Sequence, residues 1–562
     1  MSIVIASHCV AVYLAYKRAI SILKANEMPT QNSSVFRAII PVILALCALA
    51  VIVKRQGSVQ PSQRRLSLLG AGRTLGDFAD PKTSLLRSQG PKTYMDLVNE
   101  DAPLPQYSLK KAINAADLFT SRYAILRYDP ASDKFIAYYS NKHLYVSGCG
   151  KLNGAIHHLT MILRALFPHR FTPDSQELVL AIQAGDYPDT MPYRPCVVWN
   201  KNAPCTPFLN TAAPILAFGS VYAGPLFPNM MGLPMPGTHL GCFLRWAQRK
   251  EVCDFFQNNQ ELPTVAWDQL KPQLVSRYTD FNFISIQKRH ERPSFETYYL
   301  PGQSNPNVDP NEAATAMLKE NFSNLLPRWK GAVLTAESEI EARNTNTLPK
   351  VNIKFPRGSV KDRQWEESGW PGIGERMDKS QLSSFKYHID VGGGGGTTWS
   401  GTVDKLKMPG LLFHHQTVTK DYIHDDLQPW VHYVPVNSEL SDVMEKLEWA
   451  ESHQEEAKQI AENASRLMAY LSSPEGFKEL FEKHVLNPLV KVIEAYQPLG
   501  LTNELAWNEA FVKLGGDQFT PLLECTADGN CHYLQAAKSY DERDPSHTTY
   551  DKLKWGDHQK QQ

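Results

Sequence analysis

Neither sign of charge prevails in the sequence: Lys and Arg together number 58, and so do Asp and Glu. Nucleic-acid binding usually demands a basic face, which this balance does not supply, so no nucleic-acid partner is expected. Cys and His nowhere take the spacing of a zinc site, and no internal repeat is present. Long apolar runs are confined to residues 1–55, which excludes a many-helix transporter. With 43% hydrophobic and 10% aromatic residues, the chain is also far from a disordered composition. At about 150 residues per domain, its 562 residues suffice for two or three domains with filled cores.

Within 1–55, residues 36–53 read as a single-pass membrane anchor. The stretch 38–53 carries no charge and is bracketed by Arg37 and Lys54-Arg55. As a helix it would span about 24 Å, and Phe36 with a snorkelling Arg37 extends it toward the roughly 30 Å of a bilayer core. A second apolar run, 3–16, contains His8 and ends at Lys17-Arg18. Signal segment, half of a helical hairpin and interfacial helix all remain open for it. Residues 56–95 are rich in Ser, Arg and Gly, the composition of a tether between anchor and body. Cys196 and Cys205, and Cys525 and Cys531, are close enough in sequence to close short disulfide loops, as in a lumenal protein. Asn321-Phe-Ser and Asn463-Ala-Ser are N-glycosylation sequons. Together these features predict a body in the lumen of the endoplasmic reticulum or Golgi.

Beyond the tether, strand and helix alternate, which favours an α/β fold. Residues 135–139 and 178–182 read as strands and 154–167 as an amphipathic helix carrying His157 and His158. Further on, 386–391, 411–414 and 430–436 read as strands. Residues 440–450 repeat apolar positions at helical spacing, with Ser438 as the N-cap. Ser473-Pro474 opens another helix, with Ser at the cap and Pro in the first turn. The residues beyond 536 read as a polar tail.

The strongest local signal is a run of five glycines, Gly392, Gly393, Gly394, Gly395 and Gly396, directly after the strand ending at Val391 and before Thr397, Thr398, Trp399 and Ser400. Backbone without Cβ approaches a ligand closely, and successive N–H groups form an anion-binding nest, so the run suits a phosphate as well as it suits a plain linker. No Gly-Lys-Ser/Thr closes it, and it lacks the spacing of a dinucleotide fingerprint.

The segment from Lys386 to Ala464 combines this loop with Lys405-Leu-Lys-Met-Pro-Gly-Leu-Leu-Phe-His-His, then Leu-Gln-Pro-Trp-Val-His-Tyr-Val-Pro-Val, then Leu-Ser-Asp-Val-Met-Glu-Lys-Leu-Glu-Trp-Ala. It resembles the C-terminal half of glycosyltransferase family 90, which includes Rumi-type protein O-glucosyltransferases and fungal capsule xylosyltransferases. The resemblance implies two Rossmann-like domains facing across a cleft (GT-B type), at 96–270 on the acceptor side and 271–500 on the nucleotide-sugar side, followed by an extension at 501–562. Glu177-Leu-Val-Leu-Ala-Ile-Gln-Ala-Gly-Asp-Tyr-Pro is similar to the family strand that ends in an Asp-aromatic-Pro turn, which makes Asp186 the implied catalytic base. Trp267 to Arg277 is similar to the segment leading to an Arg-Gly pair near the donor diphosphate, with Tyr278 in the place of the Gly. In the glycine loop, Ser400 follows Trp399 where the animal enzymes carry an Arg. The implied donor site comprises Arg277, the glycine run, Thr397, Thr398, Trp399, Ser400, Lys405, Asp425, Asp426 and His432. Positive charge on the diphosphate would come from Arg277, Lys405 or Lys407, or from loop amides.

The resemblance implies a UDP-sugar, with glucose or xylose, as donor and a protein or glycan hydroxyl as acceptor. No Asp-x-Asp triplet occurs in the chain, the arrangement by which one large class of sugar transferases holds a divalent metal, so metal-free transfer without a cofactor is expected; direct displacement by an acceptor that Asp186 activates would invert the anomeric centre. The other expectation is a catalytically inactive glycan- or nucleotide-sugar-binding protein that retains the fold.

Overall fold

The computed structural model describes residues 103–534 apart from 105, 117–122, 142–148, 185–212, 218–219, 222–231, 235–238, 254–264, 284–289, 394–399, 418, 421 and 502. The expected anchor at 36–53, the run 3–16 and the tether 56–95 lie outside these residues. So do Asp186, Cys196, Cys205 and residues 394–399, which hold three of the five glycines with Thr397, Thr398 and Trp399. Among the described residues no helix is long and apolar enough to cross a membrane.

The strands of the two large sheets, in chain order, are β1 (Tyr123–Asp129), β2 (Lys134–Ser140), β3 (Leu178–Gln183), β4 (Ile215–Ala217) and β5 (Gly232–Pro234). Next come β6 (Lys271–Arg277), β7 (Val351–Pro356), β8 (Ile373–Gly374), β9 (Phe385–Asp390), β10 (Leu411–His415) and β11 (Val434–Val436). The last two are β12 (Phe519–Cys525) and β13 (Cys531–Tyr533). The helices used below are α1 (Cys149–Leu166), α2 (Leu240–Arg249), α3 (Pro327–Thr345), α4 (Ser400–Leu406), α5 (Val443–Ser452), α6 (Gln454–Leu471), α7 (Pro474–Phe481), α8 (Asn487–Ala495) and α9 (Glu504–Lys513).

Strands β6 to β11 form an all-parallel sheet in the order β8-β7-β6-β9-β10-β11. Counted from β6, that is 3-2-1-4-5-6, the strand order of dinucleotide-binding sheets. Strands β9, β10 and β11 are buried along nearly their whole length, as a sheet covered on both faces requires. Trp329 of α3 packs on Phe355 of β7 (5.0 Å between ring centroids), fixing the helix against the sheet, and also stacks on Trp370 and meets Trp365 edge-on. Truncating Trp329 to Ala should cost about 3–5 kcal/mol.

The other sheet has the order β13-β12-β2-β1-β3-β4-β5. Only β3, β4 and β5 run parallel; β1, β2, β12 and β13 are joined by antiparallel ladders. The expected Rossmann-like first domain is therefore a mixed sheet. The cause lies in Asp129-Pro-Ala-Ser-Asp133, a tight turn in which Asp133 takes φ 51°; a turn that short admits only a hairpin, since parallel strands need a long crossover.

Residues 501–534, expected as an extension, complete this mixed sheet through β12 and β13. Trp507 and Phe511 of α9 pack on Tyr138. The chain has already returned to the first core at α6, where Ala464, Met468 and Leu471 enter it. Phe477 and Phe481 of α7 then stack on Phe243 of α2.

Three local expectations need correction. The strand at 430–436 is only β11. Before it, Trp430 adopts φ 62° and its N–H donates to the Tyr433 carbonyl, closing a turn. Helix α5 starts at Val443 rather than near Ser438, because Leu440 sits at φ 56°, which a right-handed helix cannot include. Helix α1 begins at Cys149, earlier than expected. Ser473 does cap α7, its hydroxyl accepting the Gly476 N–H.

Candidate functional site

In open parallel sheets, ligands bind beyond the carboxyl ends of the strands where the strand order reverses. Here that point lies between β6 and β9. Strand β6 ends at Arg277, and β9 ends at Asp390, two residues before the glycine run.

Asp390 is 1% exposed and ties three elements together. Its carboxylate accepts from Thr402 Oγ1 of α4 at 2.6 Å and pairs with His414 Nδ1 of β10 at 2.7 Å. Burial alone would push the carboxyl up, but the His414 ring, Lys405 and the Thr402 hydroxyl outweigh it and hold the group well below the usual carboxylate range. The first glycine is pinned next to it. His415 Nε2 lies 2.9 Å from the Ser438 carbonyl, an acceptor only, so Nε2 carries a proton. Its Nδ1 accepts the Gly392 N–H at 3.2 Å, which requires a neutral ring. Burial favours that state, lowering the His415 pKa to about 4.

Lys405, on α4, faces the same corner. Burial lowers its pKa, against the attraction of Asp390 and Asp404 and with the repulsion of Arg328 adding to the shift. Lys407 is lowered to about 8, again chiefly by burial. Arg328, in the first turn of α3, reaches across to the glycine run. Its Nη1 donates to the Thr279 carbonyl at 2.7 Å and its Nε to the Val391 carbonyl at 3.3 Å. A Cβ on Gly393 would lie 2.5 Å from Arg328 Nη2, so the absent side chain leaves room for the guanidinium. Residue patterning of the strands did not single out Arg328. The available signal was an arginine directly after the Pro that opens a helix, where the helix dipole disfavours a cation.

Arg277 is placed differently from what was expected of it. Its guanidinium donates to the carbonyls of Glu375 (2.9 Å), Ser276 and Asn352 (both 2.8 Å) and to Asn352 Oδ1 (3.0 Å). These contacts tie the end of β6 to the first half of β7 and to the residue after β8. Tyr278 turns inward, its ring edge-on to Phe355 and its hydroxyl donating to the Arg328 carbonyl at 3.0 Å. Gly331 of α3 provides the space, because a Cβ there would stand 2.2 Å from the Tyr278 hydroxyl.

The Asp425–Asp426–His432 group is not brought to the glycine run by any described contact. Asp426 accepts from Lys483 Nζ (2.6 Å) and pairs with His484 Nε2 (2.7 Å), which fastens this turn to the helices after α7. Burial opposes ionisation there, and His484 and Lys483 overcome it. His432 Nδ1 accepts the Gln428 N–H at 3.0 Å within the turn before β11. Asp425 closes the short helical turn Tyr422–Asp425, and Lys483 Nζ donates to its carbonyl. Ser400 opens α4. Asp186 follows Gln183, the last residue of β3, by three positions.

Cys525 and Cys531 form a disulfide, as expected, and Cys242 and Cys253 form a second that the spacing did not single out. The Asn321 amide already donates to Glu291 and to the Tyr298 hydroxyl. Asn463 lies inside α6, with its carbonyl oxygen accepting from Gln459 and Arg466.

Residues 327–487 match the family described as Glycosyl transferase family 90. A stretch of 102 residues is 42% identical to Protein O-glucosyltransferase 2 of Danio rerio, covering 17% of this chain and 19% of that protein. Another comparison gives 33% identity over 109 residues with Protein O-glucosyltransferase 3 of Homo sapiens, covering 18% and 20%. With Protein O-glucosyltransferase 1 of Bos taurus the identity is 36% over 58 residues, or 10% and 15%. The match thus spans a fifth or less of each of these relatives.

Proposed function

For a chain whose residues 327–487 match glycosyl transferase family 90, we propose transfer of glucose or xylose from a UDP-sugar to a protein or glycan hydroxyl. The names of the relatives favour a protein acceptor and glucose. One observation carries the reading: the glycine run opens at the carboxyl end of the fourth strand of a 3-2-1-4-5-6 parallel sheet, its first N–H pinned by His415, with Lys405 and Arg328 beside it. Backbone free of Cβ, next to partly buried cations, suits a diphosphate leaving group.

Asp186 would remove the acceptor proton as general base, and direct attack on the anomeric carbon would invert it. Charge on the departing UDP would be met by side-chain cations, and the absence of an Asp-x-Asp triplet supports transfer without a divalent metal. The two disulfides and the apolar stretch at 36–53 favour a membrane-anchored, lumenal enzyme of the endoplasmic reticulum or Golgi.

A second reading, a sugar- or nucleotide-sugar-binding protein without turnover, is favoured by Arg277, whose guanidinium is taken up by carbonyls. Incubating the purified full chain with UDP-glucose or UDP-xylose and protein acceptors separates the two. Release of UDP that depends on the acceptor supports the enzyme; UDP binding without release supports the silent fold; neither binding nor release overturns both.

A further inference from the structure

The two described sequons, Asn321-Phe-Ser and Asn463-Ala-Ser, differ in what their amide nitrogens already do. Asn321 caps the end of the helix Pro310–Glu320. An ionised carboxylate only accepts hydrogen bonds, so the atom that meets Glu291 Oε1 is the nitrogen, Nδ2. The same Nδ2 donates to the Tyr298 hydroxyl, which in turn donates to Glu291 Oε1 at 2.7 Å. Asn321 Oδ1 accepts from Asn324 Nδ2 at 2.7 Å. Both hydrogens of the Asn321 nitrogen are therefore engaged. The backbone is joined at the same place, with the Glu291 N–H donating to the Asn324 carbonyl at 2.7 Å and the Leu326 N–H to the Glu291 carbonyl at 2.9 Å. The Asn321 amide thus braces residues 291–298 against the turn that leads into α3.

Asn463 is oriented the other way. It lies in the middle of α6, and its amide meets Gln459 Nε2 and Arg466 Nη2. A guanidinium only donates, so the atom facing Arg466 is the oxygen, and Nδ2 points away from it. That nitrogen makes no hydrogen bond among the described residues. Its surroundings on the helix are open: Gln459, Glu462 and Arg466 are exposed, and Asn463 itself is half-buried. The buried side of α6 is a different stripe, with Ala457, Ile460 and Ala461 in the core of the parallel sheet and Ala464, Met468 and Leu471 in that of the mixed sheet.

We propose that Asn463 carries an N-linked glycan and that Asn321 does not. The proposal rests on the lumenal reading above. The donor of such a glycan is an oligosaccharide on a lipid-linked diphosphate. Nδ2 attacks C1 of its first sugar, an Nδ2–C1 bond forms, the C1–O bond breaks, the diphosphate leaves with the electron pair, and one Nδ2 proton passes to a base. One amide hydrogen is thereby replaced by a bulky, solvent-seeking sugar. At Asn463 this removes no contact and the sugar projects from the outer stripe of α6. At Asn321 it removes at least one of the two bonds of the brace and sets a sugar where Glu291 or Tyr298 stands.

The full chain, expressed in cells with a secretory pathway and digested with peptide-N-glycosidase, tests this by peptide mass, because that enzyme leaves Asp where a glycosylated Asn stood. The readout also keeps Asn463 apart from Asn32-Ser-Ser, a third sequon ahead of the stretch 36–53. The expected result is conversion at 463 and none at 321. Asn463→Gln should abolish that conversion and the gel shift it causes, and leave UDP binding unchanged. Ser465→Ala removes the sequon with Asn463 in place, and carries the test if Asn463→Gln does not fold. Asn321→Asp removes both donors and sets a second carboxylate against Glu291, so it should lower the urea midpoint without altering the glycan. Conversion at 321, no conversion at 463, or an unchanged midpoint in Asn321→Asp overturns the proposal. Protease treatment of sealed microsomes separates the two readings. A bare Asn463 in a protected body overturns the proposal alone; a bare Asn463 in a digested body overturns the lumenal reading with it.

Discussion

His415 is held to one protonation state by two contacts on opposite sides of its ring, and the position of the glycine run depends on that state. The unfolded chain takes up a proton near the ordinary imidazole pKa of about 6.5, whereas the folded ring resists until about 4. Stability from this residue is therefore fully present above pH 6.5 and is lost as the pH falls toward 4, about 3 kcal/mol in all at ~1.4 kcal/mol per unit. Buried His239, lowered to about 4, and His388, lowered to about 3, add in the same direction. Urea unfolding at pH 7 and pH 5 should show the decline, and His415→Phe should flatten part of the slope; an unchanged slope contradicts the neutral-ring assignment. At the same scale, Asp186→Asn should lower turnover by roughly 10²–10⁴-fold, as expected for loss of a general base. It should leave UDP affinity intact. Transfer at the wild-type rate would remove Asp186 from the mechanism.

Between β9 and β10, the site is a set of ties among elements. Asp390 joins the end of β9 to α4 through Thr402 and to β10 through His414, so the loop between β9 and α4 is anchored at both ends. Thr402→Val keeps the shape and removes the hydroxyl. Loss of a buried hydrogen bond to a charged acceptor should cost about 1.5–3 kcal/mol, read as a lower urea midpoint, and should weaken UDP binding through the displaced start of α4. A variant as stable as the wild type would mean that Thr402 does not anchor the helix. The strands β9 and β10 were legible in the sequence, β9 because Phe-Lys-Tyr-His-Ile-Asp alternates apolar and polar residues and β10 because Leu-Leu-Phe is a short apolar run. The turn at 428–433 was not, because Trp-Val-His-Tyr-Val is rich in aromatic and β-branched residues, as strands are, and only the positive φ at Trp430 and the bond from Gln428 N–H to His432 reveal a turn. Arg277 and Arg328 mark the same limit for the site. Both are arginines at the carboxyl edge of one sheet; which is consumed by carbonyls and which faces the loop depends on the packing of α3, set by Gly331 and Tyr278 far apart in sequence.

Across the molecule, the alternation of strand and helix patterns beyond the tether foretold an α/β body, and the 386–464 segment pointed to a nucleotide-sugar sheet. The return of α6 to α9 and of β12 and β13 to the first sheet was hidden, because such long-range pairing leaves no local pattern. The proposed activity is the movement of a sugar from UDP with inversion. The most direct test is the anomeric configuration of the product formed from α-linked UDP-glucose or UDP-xylose and a protein acceptor, read by proton NMR of the released glycopeptide. A β-linked sugar, formed with stoichiometric UDP, is the predicted result; an α-linked sugar, or no transfer from either donor by protein that binds them, would contradict it.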